Sequence, residues 1–137
     1  MTAGTTSSTP LPRIGDILNY VFLFNAEAAR GRDEGIKARP CLVIAVNPAS
    51  MRVTVTPLTT KGDSYPDAIG VPQDVARKAN LQFPTAVVVA ETNSFRWLGY
   101  DVRPLVSTAD FRIGRMPPGF TAKIMTAVVG SLDLSRD

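Results

Sequence analysis

Arg39-Pro40 opens the apolar run Cys41-Leu42-Val43-Ile44-Ala45-Val46, and a second run, Met51 to Leu58, ends in Thr59-Thr60 with Tyr65-Pro66 close behind. In an antiparallel hairpin the start of the first strand lies beside the end of the second. The spacing therefore makes Arg39 and Thr59 neighbours at one rim. A guanidinium presents a rigid fork of donors that matches two phosphate oxygens, and a hydroxyl beside it adds another. The pair is a candidate phosphate site.

Other chemistries are narrowed by what the chain lacks. Its 137 residues contain no histidine and one cysteine, Cys41. That removes the commonest general base, the usual zinc site and every Ser-His or Cys-His arrangement. Cys41 has no partner for an internal disulfide and reads as a small buried hydrophobe within its apolar run. No metal site and no cofactor are expected. No apolar run approaches the roughly 20 residues that a membrane-spanning helix needs, and the N-terminus lacks a signal-peptide core. The expectation is a cytoplasmic protein with no membrane partner.

The formal net charge is +3, and its placement says more than its size. Arg30, Arg32, Lys37 and Arg39 fall within ten residues that also hold Asp33, Glu34 and two glycines. This reads as a mobile loop ahead of the strand. Arg30, Arg32 and Lys37 could contact phosphates from it; the rival reading is a solvated mixed-charge connection.

The positioning elements are short. Residues 1–11 have little to bury and are expected to be a disordered tail ahead of one domain, 12–137. Ile14-Gly15-Asp16 opens a strand running to about Phe24. Strands at about 40–47 and 51–58 follow, joined by the loop Asn47-Pro48-Ala49-Ser50. A short strand is expected near Ala68–Val71, then a short helix with Pro72 in its first turn. Thr85 to Ala90 reads as a central strand emptying into a loop, Glu91-Thr92-Asn93-Ser94. From Pro117-Pro118-Gly119 onward, Phe120, Ile124, Val128 and Leu132, widened by Met125 and Val129, predict an amphipathic C-terminal helix. The fold class is mainly β with that helix: a small, strongly bent antiparallel sheet or barrel.

In order, Gly15-Asp16-Ile17 opening a strand, a charged Gly-bearing loop, Arg39-Pro40, Pro57-Leu58-Thr59-Thr60, Tyr65-Pro66 and an apolar strand ending in Ala90-Glu91 resemble the PemK/MazF/Kid toxin family over about residues 13–132. The resemblance implies an SH3-like barrel of the CcdB/PemK type, usually homodimeric. It also implies metal-independent cleavage of single-stranded RNA and neutralisation by a small cognate antitoxin. It maps the catalytic pair onto Arg39 and Thr59, and an acidic position tied to substrate handling or catalysis onto Glu91. The chain departs from the commoner pattern in two places. Its first loop is longer and lacks a Glu-Gln pair, and Val89 stands where some members carry an arginine. It is similar instead to a branch with Asp33-Glu34-Gly35, Arg39-Pro40-Cys41 and, downstream, Glu91, Asn93, Trp97, Asp101, Arg103 and Pro104.

Cleaving RNA through its own 2′-hydroxyl needs a proton acceptor, stabilisation of the phosphate oxygens and protonation of the leaving 5′-oxygen. Arg39, too basic to shuttle protons, is assigned electrostatic stabilisation; Thr59 donates to the same phosphate; Glu91 is expected as the base. Thr60, Asn93 and Trp97 join Arg30, Arg32 and Lys37 as RNA-binding candidates, Trp97 with Tyr100 by base stacking. Each has a rival. Arg39 can pair with Asp33 or Glu34, Thr59 can simply end a strand, Glu91 can bridge to Arg96 or Arg103, and Trp97 can be core or dimer packing. A non-catalytic barrel that binds a protein target or RNA is the alternative function.

Overall fold

The structure is a computed structural model that describes residues 9–29, 31, 37–105, 110–128 and 130–137. The strands among those residues are β1 (Asp16–Val21), β2 (Ala38–Asn47), β3 (Arg52–Thr59), β4 (Ile69–Gly70), β5 (Ala86–Val87), β6 (Glu91–Arg96), β7 (Arg112–Arg115) and β8 (Leu132–Ser135). Among the described residues the α-helices are α1 (Asn25–Ala29), α2 (Gln73–Lys78) and α3 (Pro118–Ala127), with a 3-10 turn at Gly62–Ser64. The strands form one curled sheet in the order β4-β5-β3-β2-β1-β7, antiparallel throughout, and β6 and β8 continue from β3. The fold is thus mainly β, a half-barrel with a C-terminal helix, as the sequence predicts. No described helix is long and apolar enough to cross a membrane.

The hairpin of β2 and β3 is the spine. Asn47 shapes its turn, its Oδ1 accepting from the backbone N–H of Ala49 at 3.1 Å, and Met51 takes a positive φ of 60°. Cys41–Ile44 and Val55–Thr59 are buried on both faces, which explains the continuous apolar run in the middle of β2 and the apolar positions at the end of β3. Leu42 and Ile44 join Ile17 in a cluster with Ala76 of α2 and Ile124 of α3. Cys41 and Val43 face the other way, into an aromatic cluster with Tyr20, Phe22, Phe24, Phe95 and Trp97. Burial pushes the Cys41 thiol well above the ordinary range.

The expected central strand Thr85–Ala90 is only half there. Ala86 and Val87 pair with the end of β3, while Glu91–Arg96 pairs with its beginning. Between them the chain turns, held by the Thr56 hydroxyl against the carbonyls of Val88 (2.9 Å) and Glu91 (3.2 Å). The polar Glu-Thr-Asn-Ser stretch, expected as a loop, is therefore a strand whose side chains are consumed internally. The terminal helix is also shorter than expected. It ends at Ala127, and Leu132 lies instead in β8, parallel to β6 and 64% exposed. Ile124 is fully buried, with Phe120 and Val128 packed against the same cluster. Those three residues of the stripe pack on the chain's own barrel, whereas Met125 is exposed and Val129 lies outside the described residues.

Close backbone approach and buried charge fix the remaining elements. A Cβ on Gly114 of β7 would lie 2.1 Å from the carbonyl oxygen of Ala79. Asn80, in the left-handed conformation with φ 63°, ends the α2 turn and donates Nδ2 to the Ile113 carbonyl at 2.9 Å. The C-terminus is tied down by Arg136 against Asp101 at 3.2 Å, both largely buried. Burial and the neighbouring Asp101 carboxylate raise the Tyr20 hydroxyl far above its ordinary pKa. The expected tail is partly docked: the Trp97 indole donates to the Thr9 carbonyl at 3.3 Å and Leu11 packs on the aromatic cluster. Residues 1–8 lie outside the described residues.

Candidate active site

The register that pairs Cys41 with Pro57 and Leu42 with Thr56, continued two residues, sets Arg39 opposite Thr59. Both line a cleft of about 650 Å³ at this end of the hairpin. Lys37, Thr60 and Lys61 line it too, as do the turn residues Ser64 and Tyr65 and, from further along the chain, Leu81, Gln82 and Ile113. Three cations and several hydroxyls meet there, and no carboxylate is among the described lining residues. The field inside favours an anion.

Arg39 reaches the cleft over an aromatic platform. Its guanidinium lies 4.9 Å from the centroid of the Phe24 ring, and Phe24 in turn stacks on Tyr65 at 5.8 Å with an interplanar angle of 22°. Its Nε is buried without a hydrogen-bond partner, and no described carboxylate pairs with it. An Arg on a π-face keeps its charge while its stem is held by packing. Thr59, 8% exposed, has its hydroxyl oxygen oriented by the Lys61 backbone N–H at 3.0 Å. Accepting that bond leaves the hydroxyl proton available for donation. The Thr59 carbonyl accepts from the Thr85 hydroxyl at 3.3 Å.

The other expected site residues divide sharply. Lys37 and Thr60 line the cleft, whereas Glu91, Asn93 and Trp97 do not. Glu91 Oε1 accepts from the Asn25 backbone N–H at 2.7 Å and from Asn25 Nδ2 at 3.0 Å; it does not bridge to Arg96 or Arg103. Asn93 is fully buried. Its Oδ1 accepts from Leu23 N–H and its Nδ2 donates to the Leu23 carbonyl, both at 2.9 Å. Trp97 is 7% exposed and packs edge-on against Phe111 at 5.4 Å. Burial withdraws Asn93 and Trp97 from any nucleotide, because their polar atoms and faces are already occupied. Tyr100 is 78% exposed, with Arg103 over its ring at 4.8 Å. Arg30 and Arg32, with Asp33 and Glu34, lie outside the described residues.

Phe24, Lys61 and Gln82 are cleft or platform residues that the sequence reading passed over. Lys61 follows Thr59-Thr60 directly, so the same rim argument reaches it. Phe24 gives no such signal, since an aromatic residue ending a strand reads as core.

A crystal structure of MazF (form I) from Deinococcus radiodurans matches this architecture with a TM-score of 0.57, at 18% identity over 88% of this chain and 94% of that one. The chain has the MazF fold. A MazE-MazF structure (form II) from the same organism matches with a TM-score of 0.54, at 16% identity over 90% of this chain and all of the other. At the sequence level no protein-family model and no curated protein matches the chain. The MazF likeness is therefore one of three-dimensional arrangement, with side-chain chemistry to be argued from the cleft itself.

Proposed function

We propose that the protein is the toxin of a toxin-antitoxin pair, a metal-independent endoribonuclease that cuts single-stranded RNA in the Arg39–Thr59 cleft. The observation that carries this reading is the convergence of Arg39 and Thr59 in a cleft whose described lining is cationic and free of carboxylates. In the reaction the ribose 2′-hydroxyl attacks the adjacent phosphorus and gives its proton to solvent water, the P–O5′ bond breaks, the departing O5′ takes a proton from water, and a 2′,3′-cyclic phosphate and a 5′-hydroxyl result. The nucleophile belongs to the substrate, so no metal is needed to generate it. Arg39 holds two phosphate oxygens, Thr59 donates a further hydrogen bond, and both gain strength as charge builds on those oxygens. Lys37, Thr60 and Lys61 hold the flanking backbone.

The MazF fold supports the toxin assignment, and the MazE-MazF structure supports an antitoxin protein as partner. RNA as substrate places the action in the cytoplasm. A homodimer would pair through a surface other than the Ile124 side of α3, which is used within the chain. Light scattering that reads a monomer at micromolar concentration would count against that pairing. A second reading, binding without cleavage, is favoured by one observation: the described lining offers no carboxylate or imidazole to move a proton. One experiment separates the two. Purified protein is incubated with an RNA oligonucleotide in EDTA, beside the same oligonucleotide carrying 2′-deoxyribose at the cut position. Cleavage of the first alone supports the nuclease; binding of both without cleavage supports the module.

A further inference from the structure

The segment that carries Phe24 is held from three sides. Asn93 takes both backbone groups of Leu23. Glu27 Oε1 accepts from the Phe24 N–H at 3.0 Å, while the Phe24 carbonyl accepts from the N–H groups of Glu27 and Ala28 at 3.0 Å each. Glu91 takes the backbone and side-chain N–H groups of Asn25. Glu91 and Asn93 stand two apart on β6, so they point to the same side of the sheet and grip Asn25 and Leu23 on either side of Phe24. Directly on that ring sits the Arg39 guanidinium. Two polar residues embedded in a strand, each spending its side chain on the backbone of one aromatic residue's neighbours, exceed what closing the sheet requires.

We propose that Glu91 and Asn93 are positioning residues for Arg39, acting through the Phe24 ring. Glu91 then works as a hydrogen-bond acceptor, and its negative charge and capacity to take a proton are unused. The chain of contacts is short: β6 fixes the Leu23–Asn25 backbone, that backbone fixes the ring plane, and the ring fixes the direction of the guanidinium fork. A displacement of the fork by about 1 Å costs on the order of 10²-fold in rate when geometry is preorganised. The proposal rests on the cleavage reading for its kinetic consequence, while its structural consequence is readable without catalysis.

The test compares Glu91→Gln, Glu91→Ala and Phe24→Leu in the full chain with two readouts. One is the kcat and KM of RNA cleavage across pH; the other is the Arg39 Nε–H signal in a ¹H–¹⁵N spectrum, assigned by its loss in Arg39→Lys. That N–H is buried, and the Phe24 ring current displaces its resonance. Gln keeps an acceptor oxygen for Asn25, so Glu91→Gln should hold kcat within about threefold with an unchanged pH profile and an unmoved Arg39 signal. Glu91→Ala should lower kcat by about tenfold or more at nearly constant KM and move the signal towards that of Phe24→Leu. If Glu91→Gln is as inactive as Glu91→Ala while the signal stays put in both, the carboxylate acts chemically and the proposal falls. A signal and kcat both unmoved in Glu91→Ala would overturn it too. If Glu91→Ala does not fold, Phe24→Leu carries the kinetic arm, and wild-type kcat in that variant refutes the platform. A wild-type protein that cuts no RNA defeats the cleavage reading alone, since the Arg39 signal still decides the positioning.

Discussion

Asn93→Ala removes a side chain that the sequence alone offers as an RNA contact and that the fold employs as a clamp. The residue is fully buried, and its amide makes two hydrogen bonds of 2.9 Å to the backbone of Leu23 and a third of 3.0 Å to the Thr92 carbonyl. Leu23 is itself 4% exposed, so truncation orphans a buried N–H and a buried carbonyl. Each orphaned group costs about 1–3 kcal/mol. With some relaxation and entry of water, a loss of roughly 3 kcal/mol is expected, which for a chain of this size lowers Tm by roughly 10 °C. Thermal unfolding followed by circular dichroism measures it. Affinity for single-stranded RNA, read at a temperature where both proteins are folded, should change by less than about threefold, because the amide never meets the ligand. A Tm drop of under about 3 °C with a large loss of affinity would refute the clamp and restore Asn93 as a contact.

Gly114→Ala places a methyl 2.1 Å from the Ala79 carbonyl oxygen; because backbone stands on both sides, it should destabilise by at least about 2 kcal/mol in a denaturant titration. Cys41, fully buried and with its thiol pushed up by burial, should resist a thiol-specific reagent at pH 8 in the native protein and react fully in denaturant. The variant Lys37→Ala/Lys61→Ala should bind single-stranded RNA more weakly and lower the slope of log affinity against log salt by roughly 0.7 per lost contact. An unchanged slope would remove those two lysines from the interface.

The hairpin and its rim were legible because their signals are local. Apolar runs bounded by Asn47-Pro48 and by Arg39-Pro40 fix β2 and β3, and antiparallel pairing then puts Arg39 beside Thr59 by counting. The α2 and α3 starts were legible for the same reason: Pro72 and Pro117-Pro118 announce them. Glu91–Arg96 was not, because Thr-Asn-Ser in sequence reads as a turn and becomes strand only when distant residues use up its side chains: Leu23 takes Asn93, Asn25 takes Glu91, and the Asp133 carboxylate accepts from the Thr92 and Ser94 hydroxyls. That one inversion explains why Glu91, expected in the cleft as a base, lies under the Phe24 segment instead, and why Asn93 is sealed in the core. Val88 to Ala90 breaks from the expected strand because β3 changes partner there, and Thr56 marks the exchange with its hydroxyl. Leu132 fitted the four-residue spacing of the helix by coincidence; a helix ending at Ala127 and a parallel pairing with β6 took it elsewhere.

The most direct test of the nuclease account is single-turnover cleavage of a single-stranded RNA by wild-type protein, Arg39→Ala and Thr59→Ala in EDTA, with folding of each checked by its melt. The account predicts unimpaired wild-type cleavage in the chelator and a loss of about 10²–10³-fold in each variant, since each removes one preorganised donor from the phosphate. Cleavage by Arg39→Ala within about threefold of wild type would contradict it, because the guanidinium on the Phe24 platform would then have no part in the chemistry.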